Sequence, residues 1–148
     1  MNTNIIIGVA SDHAGFSLKE HILNTAPKVF SDYSFVDYGC NSSLESVDYP
    51  EFAQKLCKDI ISKKLNKGIL ICGSGIGMSI AANKFHKEIR AALCYNIMSA
   101  RLSREHNDTN VLCLGNWFVT PKLCDEILET WFKAEFQAGR HEKRIKLL

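Results

Sequence analysis

The residues best placed to do chemistry surround Cys72, where an apolar run meets a glycine-rich turn. Residues 68–71 (GILI) predict a strand buried on both faces, with Cys72 at its carboxyl end. Residues 73–77 (GSGIG) then lead into an apolar-periodic helix. Glycines let backbone N–H groups converge, and a helix N-terminus adds positive potential. This arrangement would stabilise a thiolate, which can serve as a nucleophile or as a general base.

The spacing of residues around Cys72 indicates which reactions a cysteine at such a turn could catalyse. A Cys-loop phosphatase needs an arginine six residues after the cysteine, but that position is Met78. A dinucleotide site needs GxGxxG after the first strand, whereas here the glycine-rich turn follows the third. Removal of a proton next to a carbonyl fits better, with the turn holding the enediolate oxygen. A purely structural buried cysteine is the alternative, and no zinc-type spacing predicts a metal.

Two histidines and two arginines are further candidates. His13 and His106 each lie in a polar cluster at the end of an element, where a functional ring and a surface or capping ring both fit the sequence. Arg140 and Arg144 are four residues apart, so on a helix both guanidinium groups would face the same way and suit a phosphate. A solvated basic tail is the alternative for this pair. The residues alone leave these alternatives open.

The hydrophobic pattern predicts five strands alternating with helices. The predicted strands cover residues 4–10, 34–38, 68–71, 89–94 and 111–114. The first helix starts at Phe16 and ends at or just after Pro27, the second has Asp48 as cap and Pro50 in its first turn, and the last two cover 96–105 and 121–136. This alternation predicts an α/β fold, a doubly wound, Rossmann-like parallel sheet in a three-layer αβα sandwich. Such sheets bind ligands at the carboxyl ends of their strands, so the Asp12–His13 turn should share an edge with the Cys72 turn.

Composition predicts one domain over residues 1–148, with a net charge of +2 that indicates no nucleic-acid binding. No window is apolar enough to span a membrane, and no signal peptide precedes the first strand, so we expect a cytoplasmic protein. Buried reduced thiols are favoured over disulfides because no CxxC pair occurs. The six cysteines are Cys40, Cys57, Cys72, Cys94, Cys113 and Cys124.

Five motifs together resemble the type B ribose-5-phosphate isomerases, within the wider family that includes galactose-6-phosphate isomerase. They are SDHAG at Ser11, VDYP at Val47, GILICGSGIGMSIAANK at Gly68, SREHNDTNVL at Ser103 and GRHEKR at Gly139. They keep the family's order over almost the whole chain. The resemblance implies an aldose–ketose isomerisation between ribose 5-phosphate and ribulose 5-phosphate without metal or cofactor. It also implies a homodimer or a tetramer of dimers, with sites shared between subunits and a C-terminal tail (about 138–148) at the interface.

The resemblance assigns a role to each matching residue. Cys72 would be the base that moves the proton between C1 and C2, Ser74 would polarise the carbonyl or ring oxygen, and His106 would assist ring opening. Arg140 and Arg144 would hold the phosphate. The remaining substrate contacts would be Asp12, His13, Tyr49, Gly73, Gly75, Ile76, Gly77 and Asn107.

One position departs from the family pattern. After the fifth strand the family usually reads Gly-x-Arg, but this chain has Gly115-Asn116-Trp117, and an indole cannot replace a guanidinium fork. Phosphate affinity would then be weaker, or another cation would supply it, with Arg90, Arg101, Arg104 and Lys122 as unranked candidates. This departure leaves open an isomerase of a six-carbon sugar phosphate, and a non-catalytic sugar-phosphate sensor or subunit.

Overall fold

The computed structural model describes residues 4–148, in which strands and helices alternate as predicted. The strands are β1 (Ile5–Ser11), β2 (Tyr33–Asp37), β3 (Lys67–Cys72), β4 (Ala91–Leu93) and β5 (Val111–Gly115). The helices are α1 (Phe16–Val29), α2 (Tyr49–Ile61), α3 (Ile76–Phe85), α4 (Ile97–Asn107), α5 (Pro121–Lys133) and α6 (Arg140–Ile145).

These strands form one parallel sheet in the order β2-β1-β3-β5-β4. The central strand β3 places Cys72 level with Gly115 on β5, and Ile71 level with Ser11 on β1. The turns that follow β1, β3 and β5 therefore leave the sheet side by side. This register gives the sheet's carboxyl edge three adjacent loops.

Alternate residues of the strands face two separate cores. Ile69 and Ile71 of β3 face the core built with α1, α4 and α5. Leu70 and Cys72 face the core built with α2 and α3. Helices thus cover both faces of the sheet, and the predicted doubly wound three-layer sandwich is confirmed.

Two predicted elements are shorter in the structure. Strand β4 was expected over 89–94 but covers Ala91–Leu93, because it is an edge strand with β5 as its partner. Helix α5 was expected to reach residue 136 but ends at Lys133. Ala134 is extended, and the Gln137 N–H donates to the Glu105 carbonyl at 3.0 Å. The chain therefore leaves α5 to run along α4.

Three further expectations concern the end of α1, the N-cap of α2 and the basic tail. Helix α1 continues to Val29, two residues past Pro27, which is within the predicted range. Asp48 occupies the N-cap position of α2 with Pro50 in the first turn, but its side chain makes no capping hydrogen bond. The basic tail forms the short helix α6, which puts Arg140 and Arg144 one turn apart.

All six cysteines are buried and free of disulfides, so the prediction of buried reduced thiols is confirmed. Within residues 4–148, no helix has the length and apolar character needed to cross a bilayer.

Candidate active site

The Cys72 turn has the geometry that its glycines predict. Cys72 ends β3 and is 5% exposed, and the Gly75 N–H donates to its Sγ at 3.1 Å. Gly75 adopts the left-handed conformation, with φ of 78°, and serves as N-cap of α3. The Ser74 hydroxyl oxygen accepts from the Ile76 N–H at 3.2 Å. The sulfur therefore lies within hydrogen-bond distance of the N–H of the residue that caps α3.

Two aromatic side chains lie against this turn where glycine leaves room for them. A Cβ on Gly73 would be 2.5 Å from Cζ2 of Trp117, and a Cβ on Gly77 would be 2.7 Å from Cζ of Tyr49. Trp117 is nevertheless 70% exposed and Tyr49 37% exposed. Both rings therefore lie against the glycine turn that follows Cys72.

The Asp12–His13 turn lies at the same edge, as the topology predicts. The Asp12 N–H donates to the Ile71 carbonyl at 3.1 Å, and the carboxylate of this buried residue accepts from the Gly15 N–H at 3.0 Å. Nδ1 of His13 accepts from the Val47 N–H at 3.1 Å. A neutral His13 ring therefore carries its proton on Nε2, where it can donate to a ligand.

A second group of predicted site residues lies at the opposite end of the sheet. His106, Asn107 and Arg144 line a cavity of about 240 Å³ together with His141, Ile145 and Leu148. The rings of His106 and His141 are stacked, with centroids 4.1 Å apart and planes 11° apart. Burial lowers the pKa of His141, and so do the neighbouring His106, Arg140 and Arg144.

The two groups do not meet within one chain. Helix α4 begins after the carboxyl end of β4 and runs back for about 15 Å to Asn107. There Nε of Arg90, just before β4, donates to the Asn107 carbonyl at 3.0 Å. Asn107 therefore lies at the amino ends of the strands. The carboxyl edge holds Asp12, His13, Tyr49, Cys72, Gly73, Ser74, Gly75, Ile76 and Gly77, and the amino edge holds His106, Asn107, Arg140 and Arg144.

The four cationic side chains proposed to replace the family's arginine at position 117 differ in their contacts. Arg90 donates to the carbonyls of Asn107 and Asp108, and Arg104 donates to the Asp108 carboxylate at 2.8 Å. Both are engaged at the amino edge. Arg101 lies 3.9 Å from the Glu105 carboxylate on α4. Lys122 is exposed in the first turn of α5, directly after the loop that carries Trp117. It is the candidate nearest along the chain to the Cys72 edge.

Two contacts of the site were missed by the reasoning from sequence. The Tyr95 hydroxyl donates to the Ser74 carbonyl at 2.7 Å, which holds the turn from outside. The position of Tyr95 directly after the fourth predicted strand could have indicated that it lies at the same edge as Ser74. The stacking of His141 on His106 joins residues 35 positions apart, and no local pattern indicates it. Among residues 4–148, no three side chains of His, Cys, Asp or Glu are grouped to hold a metal.

Exposed apolar side chains surround the carboxyl edge. We call them the apolar rim: Ile76, Tyr95, Ile97, Met98, Trp117 and Phe118. Each is more than a third exposed, and the Tyr95 ring contacts the Phe118 ring at a tilt of 45°, with centroids 5.3 Å apart. Exposed apolar side chains concentrated at one edge are a common feature of interaction surfaces.

Comparison with known proteins places the chain in a family. The ribose/galactose isomerase profile matches residues 7–148. Ribose-5-phosphate isomerase B of Escherichia coli is 42% identical over 142 residues, which are 96% of this chain and 94% of the relative. The chain therefore belongs to the ribose/galactose isomerase family, and the resemblance predicted from its motifs is confirmed.

Solved structures agree in fold. Ribose-5-phosphate isomerase B of Clostridium thermocellum has a TM-score of 0.92 at 47% identity, covering 97% of this chain and 94% of that one. The type B ribose 5-phosphate isomerase of Trypanosoma brucei has a TM-score of 0.93 at 37% identity, covering 98% and 97%.

Proposed function

We propose that this protein is an aldose–ketose isomerase that interconverts ribose 5-phosphate and ribulose 5-phosphate without a metal or cofactor. The observation that carries this proposal is the contact of the Gly75 N–H with the Cys72 sulfur, 3.1 Å long, at the mouth of the glycine turn. Family membership and the described activity of the relatives support it. The reaction belongs to the interconversion of pentose phosphates.

Cys72 acts as the base in the proposed mechanism. The thiolate takes the proton from C2 of the open-chain aldose, and the electron pair of that C–H bond forms the C1–C2 double bond. The carbonyl π electrons move to O1, where backbone N–H groups of residues 73–77 and the Ser74 hydroxyl stabilise the negative charge. The proton then returns from sulfur to C1 while the O2 hydroxyl proton passes to O1. This completes the ketose and restores the thiolate.

Substrate binding uses the side chains around the turn. Asp12 accepts from sugar hydroxyls, His13 donates through Nε2, and the Tyr49 ring lines the turn at Gly77. Such contacts place C1 and C2 against the sulfur. This positioning supplies much of the rate enhancement of a proton transfer. Trp117 covers Gly73 and contributes an apolar wall on the other side.

Ring opening and phosphate binding need a second copy of the chain. His106, Asn107, Arg140 and Arg144 lie at the edge opposite Cys72, so they can serve this site only from another subunit. His106 of the partner subunit would open the furanose ring, and Arg140 and Arg144 of the partner subunit would bind the phosphate. The apolar rim beside Cys72 supports docking of that copy, with the tail 138–148 at the interface. The assembly is then a homodimer, or a tetramer built from such dimers.

A direct test compares two buried cysteines. Ketose formation from ribose 5-phosphate is measured with chelator present for the wild type, Cys72→Ala and the control Cys124→Ala, whose thiol lies on α5 in the other core. We expect Cys72→Ala to lose at least about 100-fold in kcat, because general-base catalysis is worth that much, while Cys124→Ala stays active. Equal activity in both variants would contradict the role of Cys72.

The same assay separates the alternative functions. Activity on six-carbon sugar phosphates but not on ribose 5-phosphate would indicate the other branch of the family. Binding of sugar phosphates without any isomerisation would indicate a sensor or a non-catalytic subunit. The expected compartment is the cytoplasm, which six buried free thiols support.

A further inference from the structure

We propose that His141 is a positioning residue that holds the His106 ring in the orientation needed for ring opening. This proposal rests on the proposed function, because it gives His106 its reaction. The supporting geometry is the near-parallel stack of the two rings, 4.1 Å between centroids with an 11° angle between planes. His141 is 8% exposed, and His106 is the more exposed ring of the pair.

The backbone holds His141 firmly in place. Its N–H donates to the Ala138 carbonyl at 3.1 Å, and α6 packs against α4, the helix that carries His106. A side chain on a rigid element locks its neighbour better than one on a loop. The flat imidazole of His141 therefore limits rotation of the His106 ring about its Cβ–Cγ bond.

Burial and nearby positive charge both disfavour protonation of His141. The charged residues of the two packed helices are Arg140, Glu142, Lys143 and Arg144 on α6, and Arg101, Arg104 and Glu105 on α4. Glu142 lies 3.4 Å from Lys146, and Glu105 lies 3.9 Å from Arg101, so each carboxylate has a cation of its own. Burial, the His106 ring and the two α6 arginines all lower the pKa of His141. We assign the proton exchange of ring opening to His106, which is the more exposed ring of the pair.

A variant set separates positioning from folding. His141→Ala removes the stack, His141→Phe keeps a flat ring that cannot titrate, and Lys28→Ala, at an exposed position on α1, is a control outside the tail. We expect about a 10-fold loss of kcat in His141→Ala with KM changed less than about twofold, since misplaced catalytic groups cost up to about 100-fold. His141→Phe should recover most of that loss, and Lys28→Ala should match the wild type.

Two outcomes would overturn the proposal. Wild-type kcat in His141→Ala would show that the stack does not orient His106. An equal loss in His141→Phe and His141→Ala, with KM raised in both, would show that the imidazole contacts substrate instead. Circular dichroism and thermal unfolding of each variant identify any that fails to fold.

An NMR titration tests the contact between the His141 and His106 rings independently of activity. The imidazole signals of His141 are followed against pH in the wild type and in His106→Asn. We expect the pKa of His141 to rise in His106→Asn, because a like charge beside it is removed. An unchanged pKa would contradict the contact between the rings. If the wild type isomerises no sugar phosphate, the proposed function fails, while this titration still decides whether the rings are coupled.

Discussion

At the scale of single residues, the Cys72 turn depends on Gly75. Its φ of 78° is a conformation that side chains rarely adopt, and an added Cβ would be 2.6 Å from the Leu93 side chain and 2.8 Å from the Leu114 backbone. The Gly75 N–H is also the donor to Cys72 Sγ. The same residue therefore fixes both the shape of the turn and the environment of the thiol.

We predict that Gly75→Ala lowers the free energy of unfolding by about 2–4 kcal/mol, from backbone strain plus the clash. Gly139→Ala is the matched control, because Gly139 also has positive φ, 56°, but an added Cβ there would contact nothing within 4 Å. Urea unfolding of both variants measures the difference. A loss in Gly139→Ala as large as in Gly75→Ala would mean that strain alone, and not packing, selects glycine at position 75.

At the scale of elements, hydrogen-bonded side chains join the strands to their helices. The Tyr38 hydroxyl, just after β2, donates to the Asp59 carboxylate of α2 at 2.7 Å. This hydrogen bond lowers the pKa of Asp59, while burial and the bond to Asp59 raise the pKa of Tyr38 to about 12. The contact contributes stability that is fully present between about pH 4, the pKa of an unfolded aspartate, and pH 10, the pKa of an unfolded tyrosine. It is lost as the pH rises towards 12 and as the pH falls through the lowered pKa of Asp59.

We therefore predict that Tyr38→Phe costs about 1 kcal/mol at pH 7. Because the wild type loses this contribution at high pH, the difference between the two proteins should shrink at pH 11. Tyr33→Phe, at a ring that stacks on Phe30, is the control and should unfold like the wild type at both pH values. A difference for Tyr38→Phe that is constant with pH would show that the contact does not involve the titrating hydroxyl.

The strands and helices also show how much of the fold can be predicted from the sequence. Apolar periodicity and glycine or proline signals predict the central strands, and the carboxyl-edge rule predicts that Asp12 and Cys72 lie at the same edge of the sheet. The end of α5 and the length of β4 followed from contacts distant in sequence, the Gln137 bond to Glu105 and the one-sided pairing with β5. The stack of His141 on His106 depends on how α6 packs on α4, which no local pattern encodes.

At the scale of the whole molecule, the sheet separates the proposed chemistry into two halves. The thiol and the glycine turn lie at the carboxyl edge, and His106 lies at the amino edge with Arg140 and Arg144, the arginines proposed to bind phosphate. In the proposed mechanism one chain holds two half-sites, and a symmetric dimer would complete both. Such sharing would make the activity inseparable from assembly.

The most direct measurement is the activity of a mixed dimer made from Cys72→Ala and His106→Ala chains, co-expressed with different tags and purified through both. If the site is shared, one site holds both defects and the other has neither, so we predict about half of the wild-type turnover per dimer. Each variant homodimer alone should be nearly inactive. A mixed dimer as inactive as the homodimers would contradict a site in which Cys72 of one subunit works with His106 of the partner subunit.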